Sequence, residues 1–120
     1  MSLQGPFAVS GVTNTYALSV TATSSNFTVT FPAGLTPTTM SVENTGSNPV
    51  FITWGWGSSP VAAVAPTVGT PANGFPVQQQ PAGRSISIGG PTLGQTTFWV
   101  SAIALVAGPA VVYFTFGEGF

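Results

Sequence analysis

The side chains able to do chemistry in this chain are few: the carboxylates of Glu43 and Glu118, the phenols of Tyr16 and Tyr113, and the guanidinium of Arg84. His, Cys, Asp and Lys do not occur. Acid–base and nucleophilic catalysis require a base held beside a reacting proton or nucleophile, and the abundant Ser and Thr have no such partner. A working carboxylate pair would need Glu43, next to a turn, to meet Glu118 across the fold. Without Cys or His no zinc set can form, and a calcium site would rest on the two Glu and backbone carbonyls. Gly89 and Gly90 are followed by Pro91, which removes an amide where a phosphate cradle needs one. The expectation is a protein that is not an enzyme, with no catalytic, cofactor-binding or metal-binding residues.

Two aromatic residues have suggestive spacing. Trp54 and Trp56 are two apart, so on a strand they share a face. Such a pair could stack on a sugar ring. The competing reading is that at least one is core and the other packs at a subunit contact, where Trp is enriched. Arg84, as the lone cation, suits pairing with a carboxylate or capping of carbonyls across an interface. The sequon Asn26-Phe27-Thr28 matches a glycosylation acceptor; with no signal-peptide pattern in Met1–Pro6, the match reads as chance and the chain as one made in a cytoplasm.

These residues must be positioned by a single domain, since 120 residues suffice for one core and for no more than one by the usual size prior. Charged residues make up 2% and hydrophobic residues 43%, with net charge −1. The surface is therefore left to Ser, Thr, Asn, Gln, Gly and apolar atoms, a composition that favours association. Disorder is disfavoured, because disordered chains combine low hydrophobicity with high charge. Direct nucleic-acid binding is disfavoured too, because phosphate neutralisation needs several cations. The apolar run Trp99 to Phe116 is broken by Gly108 and Pro109 and lacks flanking basic residues, so it reads as paired strands and no membrane partner is expected.

Period-2 alternation bounded by turn residues recurs along the chain, and no window shows helical spacing. Tyr16, Leu18 and Val20 are followed, after Thr23 to Asn26, by Phe27, Val29 and Phe31, which predicts a hairpin. Met40 and Val42 begin a third strand, Asn44 to Pro49 form a turn, and Val50 to Trp54 make a fourth strand. Residues 56–83 carry five Pro and read as a long Pro-rich loop or arm with a short strand around Phe75 and Val77. Ile86 and Ile88 mark a further strand. Thr97 to Leu105 and Ala110 to Phe116 read as the centre of the core. The result is an all-β chain of about eight short strands: a β-sandwich, jelly-roll-like by strand number, with residues 1–12 as an N-terminal arm and 13–120 as the sandwich domain.

The run Val42-Glu43-Asn44-Thr45-Gly46-Ser47-Asn48-Pro49-Val50-Phe51-Ile52-Thr53-Trp54-Gly55, the Pro81-Ala82-Gly83 ahead of a strand, and the terminal Ala110 to Gly119 resemble the small all-β virion proteins of tailed bacteriophages, in particular head decoration or cement proteins. That resemblance implies a protein that binds the outside of an icosahedral head, bridges copies of a major capsid protein and self-associates as a dimer or trimer. Its expected contacts are the N-terminal arm and the Pro-rich segment, with Val61, Val64, Val68, Phe75, Trp56 and Arg84 as interface residues. A carbohydrate-binding module using Trp54 and Trp56, and a phage tail or neck component, are the rival readings.

Overall fold

The computed structural model describes residues 8–9, 15–31, 37–46, 48–77, 84–89, 95–105 and 110–118. Among them are nine strands and no helix: β1 (Ala8–Val9), β2 (Thr15–Val20), β3 (Ser25–Thr30), β4 (Thr39–Asn44), β5 (Val50–Trp56), β6 (Phe75–Val77), β7 (Arg84–Ser87), β8 (Thr97–Ala104) and β9 (Ala110–Glu118). They form two antiparallel sheets. One runs β2-β9-β4-β7, with β1 continuing the β2 side of β9; the other runs β3-β8-β5-β6. The fold is an all-β sandwich, as the alternation predicts. The short strand expected at Phe75 and Val77 is β6. Of the expected N-terminal arm, Ala8–Val9 is β1; residues 1–7 and 10–12 lie outside the described residues, as do the Pro81-Ala82-Gly83 and Gly108-Pro109 connections.

Alternation decides which side chains meet between the sheets. From the first sheet come Val20, Met40, Val42, Ile86, Val112, Phe114 and Phe116, and from the second Val29, Val50, Ile52, Phe98, Val100 and Ala102, all in one buried cluster. Its centre is aromatic: Phe98 meets Phe116 edge-on at 5.6 Å, and Phe27 meets Phe114 at 5.3 Å. Each large side chain buried this way contributes about 1.5–3 kcal/mol relative to exposure. The last two long strands, β8 and β9, are inner strands of their sheets, as are β4 and β5, and being flanked on both sides they are strongly apolar.

The predicted hairpin between β2 and β3 is corrected by the structure. Among the described residues β2 pairs only with β9 and β3 only with β8, so the two lie in opposite sheets. The connecting chain crosses the sandwich, with Thr21 O accepting from Ala104 N at 2.8 Å. Tyr16 and Phe27 stack at 5.2 Å and 14° as the facing pair of that arch. The physical reason is burial: both strands carry an apolar face, and opposing those faces removes more apolar surface from water than setting the strands side by side.

The turn between β4 and β5 also crosses between sheets. Asn44, almost fully buried, holds it. Its Nδ2 donates to Asn48 O at 2.9 Å and Val77 O at 3.1 Å, and its Oδ1 accepts from Gly46 N at 2.9 Å. The amide is thereby satisfied in the interior, and the bond to Val77 ties β6 of one sheet to β4 of the other. A Cβ on Gly46 would lie 2.5 Å from Ala110 Cβ, so this corner admits only glycine.

Candidate functional site

The Pro-rich stretch leaves β5 at Gly57, whose φ of +122° turns the chain while its N–H still donates to Thr97 O at 2.7 Å. Residues 58–74 then fold back over the outer face of the second sheet, a third layer rather than a free arm. Side chains do the fastening, because the Pro residues cannot sustain a ladder. Thr53 Oγ1 donates to Val61 O at 2.9 Å, and Ala63 N donates to Ser101 Oγ at 3.0 Å. Asn73 bridges the two limbs, accepting from Val64 N at 2.8 Å and donating to Ala62 O at 3.0 Å. Gly74 N donates to Val64 O at 3.1 Å. At the tip, Thr67 and Thr70 exchange N–H···O bonds of 3.2 and 2.9 Å around Val68 and Gly69, the glycine at φ +83°.

Outward-facing residues of β5 and β8 are buried on this face. Phe51, Trp99 and Ala63 are nearly inaccessible yet stand apart from the cluster between the sheets. Close approach fixes two glycines here. A Cβ on Gly74 would lie 2.6 Å from Phe51 Cβ and 2.7 Å from Val64 O, and one on Gly55 would lie 2.9 Å from the Trp99 ring. The layer buries its own small apolar seam and turns valines outward: Val61, Val64 and Val68 are 55%, 51% and 107% exposed.

The other expected interface residues have different settings. Phe75, in β6, is half-buried and meets Trp54 edge-on at 5.6 Å. Together with Ile52, Thr53 and Asn73 they line an open cleft of ≈ 300 Å³. Trp56 packs edge-on against Phe98 at 5.1 Å and Phe31 at 6.0 Å, and its indole N–H donates to Gly89 O at 3.1 Å. Trp54 and Trp56 do share a face, as their spacing predicts, and that face is the inner one, packed against the core. Arg84 opens β7 opposite Val42. Glu43 lies opposite Tyr113, and Glu118 opposite Ala8. The register therefore sets the two carboxylate-bearing residues five positions apart along β9, ~17 Å of strand, and does not bring them together.

Three exposed apolar residues lie outside the expected set: Leu105, Val111 and Tyr113. Val111 and Tyr113 lie on the outer face of the first sheet beside Thr15, Ala17 and Ser19 of β2. The alternation Ala110, Val112, Phe114 inward against Val111, Tyr113 outward was present in the sequence and would have found them. The anchors Thr53, Asn73 and Ser101 carried no comparable signal. In comparisons with known proteins, no protein-family model, no curated protein and no solved structure matches the chain.

Proposed function

We propose that this chain is a structural protein of a virion, which binds the outside of an icosahedral phage head and stabilises it as a cement or decoration protein. The observation that carries this reading is the third layer: a fastened segment that presents Val61, Val64 and Val68 to solvent on a molecule with one cation and two carboxylates. A surface of that kind gains by covering apolar area against a neighbour and has almost no charge to desolvate in doing so. The strand order adds support. Read with β1 as part of the β2 edge, β2-β9-β4-β7 facing β3-β8-β5-β6 suits a double-sheet, eight-strand jelly roll, a form common in virus shells.

The partner in this reading is a major capsid protein, together with sister copies of this chain, and the protein is made in the host cytoplasm. Many modest contacts on a repeating shell give lasting occupancy by avidity. The test is attachment of purified protein to undecorated heads. Binding is expected to persist from low salt to about 1 M, where the Debye length is ~3 Å, and to fall sharply in Val64→Asp and Val68→Asp. Salt-labile attachment, or full binding by both variants, overturns the proposal. Copy number distinguishes a tail or neck location, which symmetry limits to far fewer copies than a shell. The carbohydrate reading draws less support, because Trp54 and Trp56 contribute to the inner face.

A further inference from the structure

The two sides of the sandwich end in very different strands. On one side the edges are β6 and β7, three and four residues long, β6 holding Pro76 and β7 opening with Arg84. Short edges, proline and charge are the usual devices against strand addition. On the other side the edges are β2 and β3, six residues each, with neither charge nor proline. At this side the inward-facing Tyr16, Leu18 and Phe27 are only partly buried, although they pack on the core.

The free edge of β3 has a defined donor and acceptor pattern. Phe31 N donates to Thr96 O at 2.9 Å, in line with the ladder that pairs Ser25–Thr30 with Ala102–Thr97. Odd-numbered residues of β3 therefore address β8, and the N–H and C=O groups of Asn26, Thr28 and Thr30 point to the open edge. No described residue pairs with them.

We infer that β3 is a self-association edge, and that a second copy of this chain adds its own β3 antiparallel across a two-fold axis. The edge is self-complementary. Placing Thr28 opposite Thr28 of the second copy pairs Asn26 with Thr30 and Phe27 with Val29, keeps inner and outer faces matched, and satisfies the three open residues in hydrogen-bonded pairs. Phe27 against Val29 is a favourable aromatic–β-branched pair and Thr28 against Thr28 a hydroxyl pair. The described residues of this side bring no charge, so a second copy meets no like-charge repulsion. Sheet β3-β8-β5-β6 then runs on across the axis, and the partly open Phe27 and Tyr16 are covered. The inference rests on the edge alone and holds whatever the assembly's location.

The test is the oligomeric state of the full chain in the absence of heads, by sedimentation and light scattering, so that failure of head binding leaves it untouched. The unaltered chain is expected at twice the chain mass. Thr28→Pro, which removes an outward amide where an edge strand tolerates proline, and Thr28→Lys, which sets two cations face to face, are each expected to weaken self-association at least about tenfold. Ser87→Lys, exposed at the end of β7 in the other sheet, is expected to leave it unchanged. Hydrogen exchange on the unaltered chain supplies a reading independent of variants: the amides of Asn26, Thr28 and Thr30 are expected to be slow and to quicken on dilution. A monomer at all concentrations, fast exchange at those three amides, or loss of the dimer in Ser87→Lys with retention in both Thr28 variants overturns the inference.

Discussion

The two outer faces of the sandwich received similar strands and met different fates. On β8, Trp99 and Ser101 point outward and are buried; on β9, Val111 and Tyr113 point outward and remain 38% and 40% exposed. The strands are comparable in length and apolar content, so the difference comes from the covering that each face receives. β5 leads into a segment that doubles back, supplies Ala63 and Gly74 as close-packing residues, and offers carbonyls and amides to Thr53, Ser101 and Asn73. Nothing described does this for β2 and β9. An outward-facing aromatic is thus packed under a cover on one face and open to solvent on the other.

That contrast can be broken most severely at Trp99. Trp99→Ala is expected to destabilise the fold by about 3–5 kcal/mol, as other large truncations at buried sites do, read by denaturant unfolding. Gly74→Ala comes next: the new methyl would meet Phe51 and the Val64 carbonyl, and overpacking of that kind costs about 1–3 kcal/mol. Because the clash involves backbone, the expected result includes faster exchange of the Val64 and Gly74 amides, marking lift of the third layer. Ser101→Ala removes the acceptor for the buried Ala63 N–H and is expected to cost about 1 kcal/mol or somewhat more. Tyr113→Ser, the counterpart on the uncovered face, is expected to stay within about 0.5 kcal/mol of the parent. If Tyr113→Ser instead matched Trp99→Ala, the two faces would not differ as described.

Much of this architecture was legible in the residues, and the failures share one cause. Alternation gave the strands, and the two apolar runs on either side of Gly108 and Pro109 gave β8 and β9, because a strand flanked on both sides meets little water. Period 2 reports which residues share a face and is silent about which neighbour completes the hydrogen bonds. Hence β2 and β3, adjacent in sequence, read as a hairpin and are an arch. The same silence left the direction of Trp54 and Trp56 open: β5 is buried on both faces from Val50 to Thr53, so no polar side marked the outside. The third layer was legible only as a proline-rich interruption. Its fastening depends on single side chains such as Asn73 and Ser101, whose partners are set by tertiary placement. The exposure of Val61, Val64 and Val68 fits the third layer, while the exposed pair on β9 obeys an alternation already visible in the sequence.

The order of pairing along the chain has a consequence for how the molecule is made. β2 and β3 have β9 and β8 as their partners, and β4 and β5 complete their ladders with those same two strands. A ribosome delivers β8 and β9 after the other strands, so β1 to β5 wait, incompletely paired, until residues 97–118 emerge. Folding is then a late, concerted event of non-local closure, expected on the millisecond-to-second scale of β-rich topologies, and a nascent chain halted before Thr97 would have neither of the strands around which the sheets assemble.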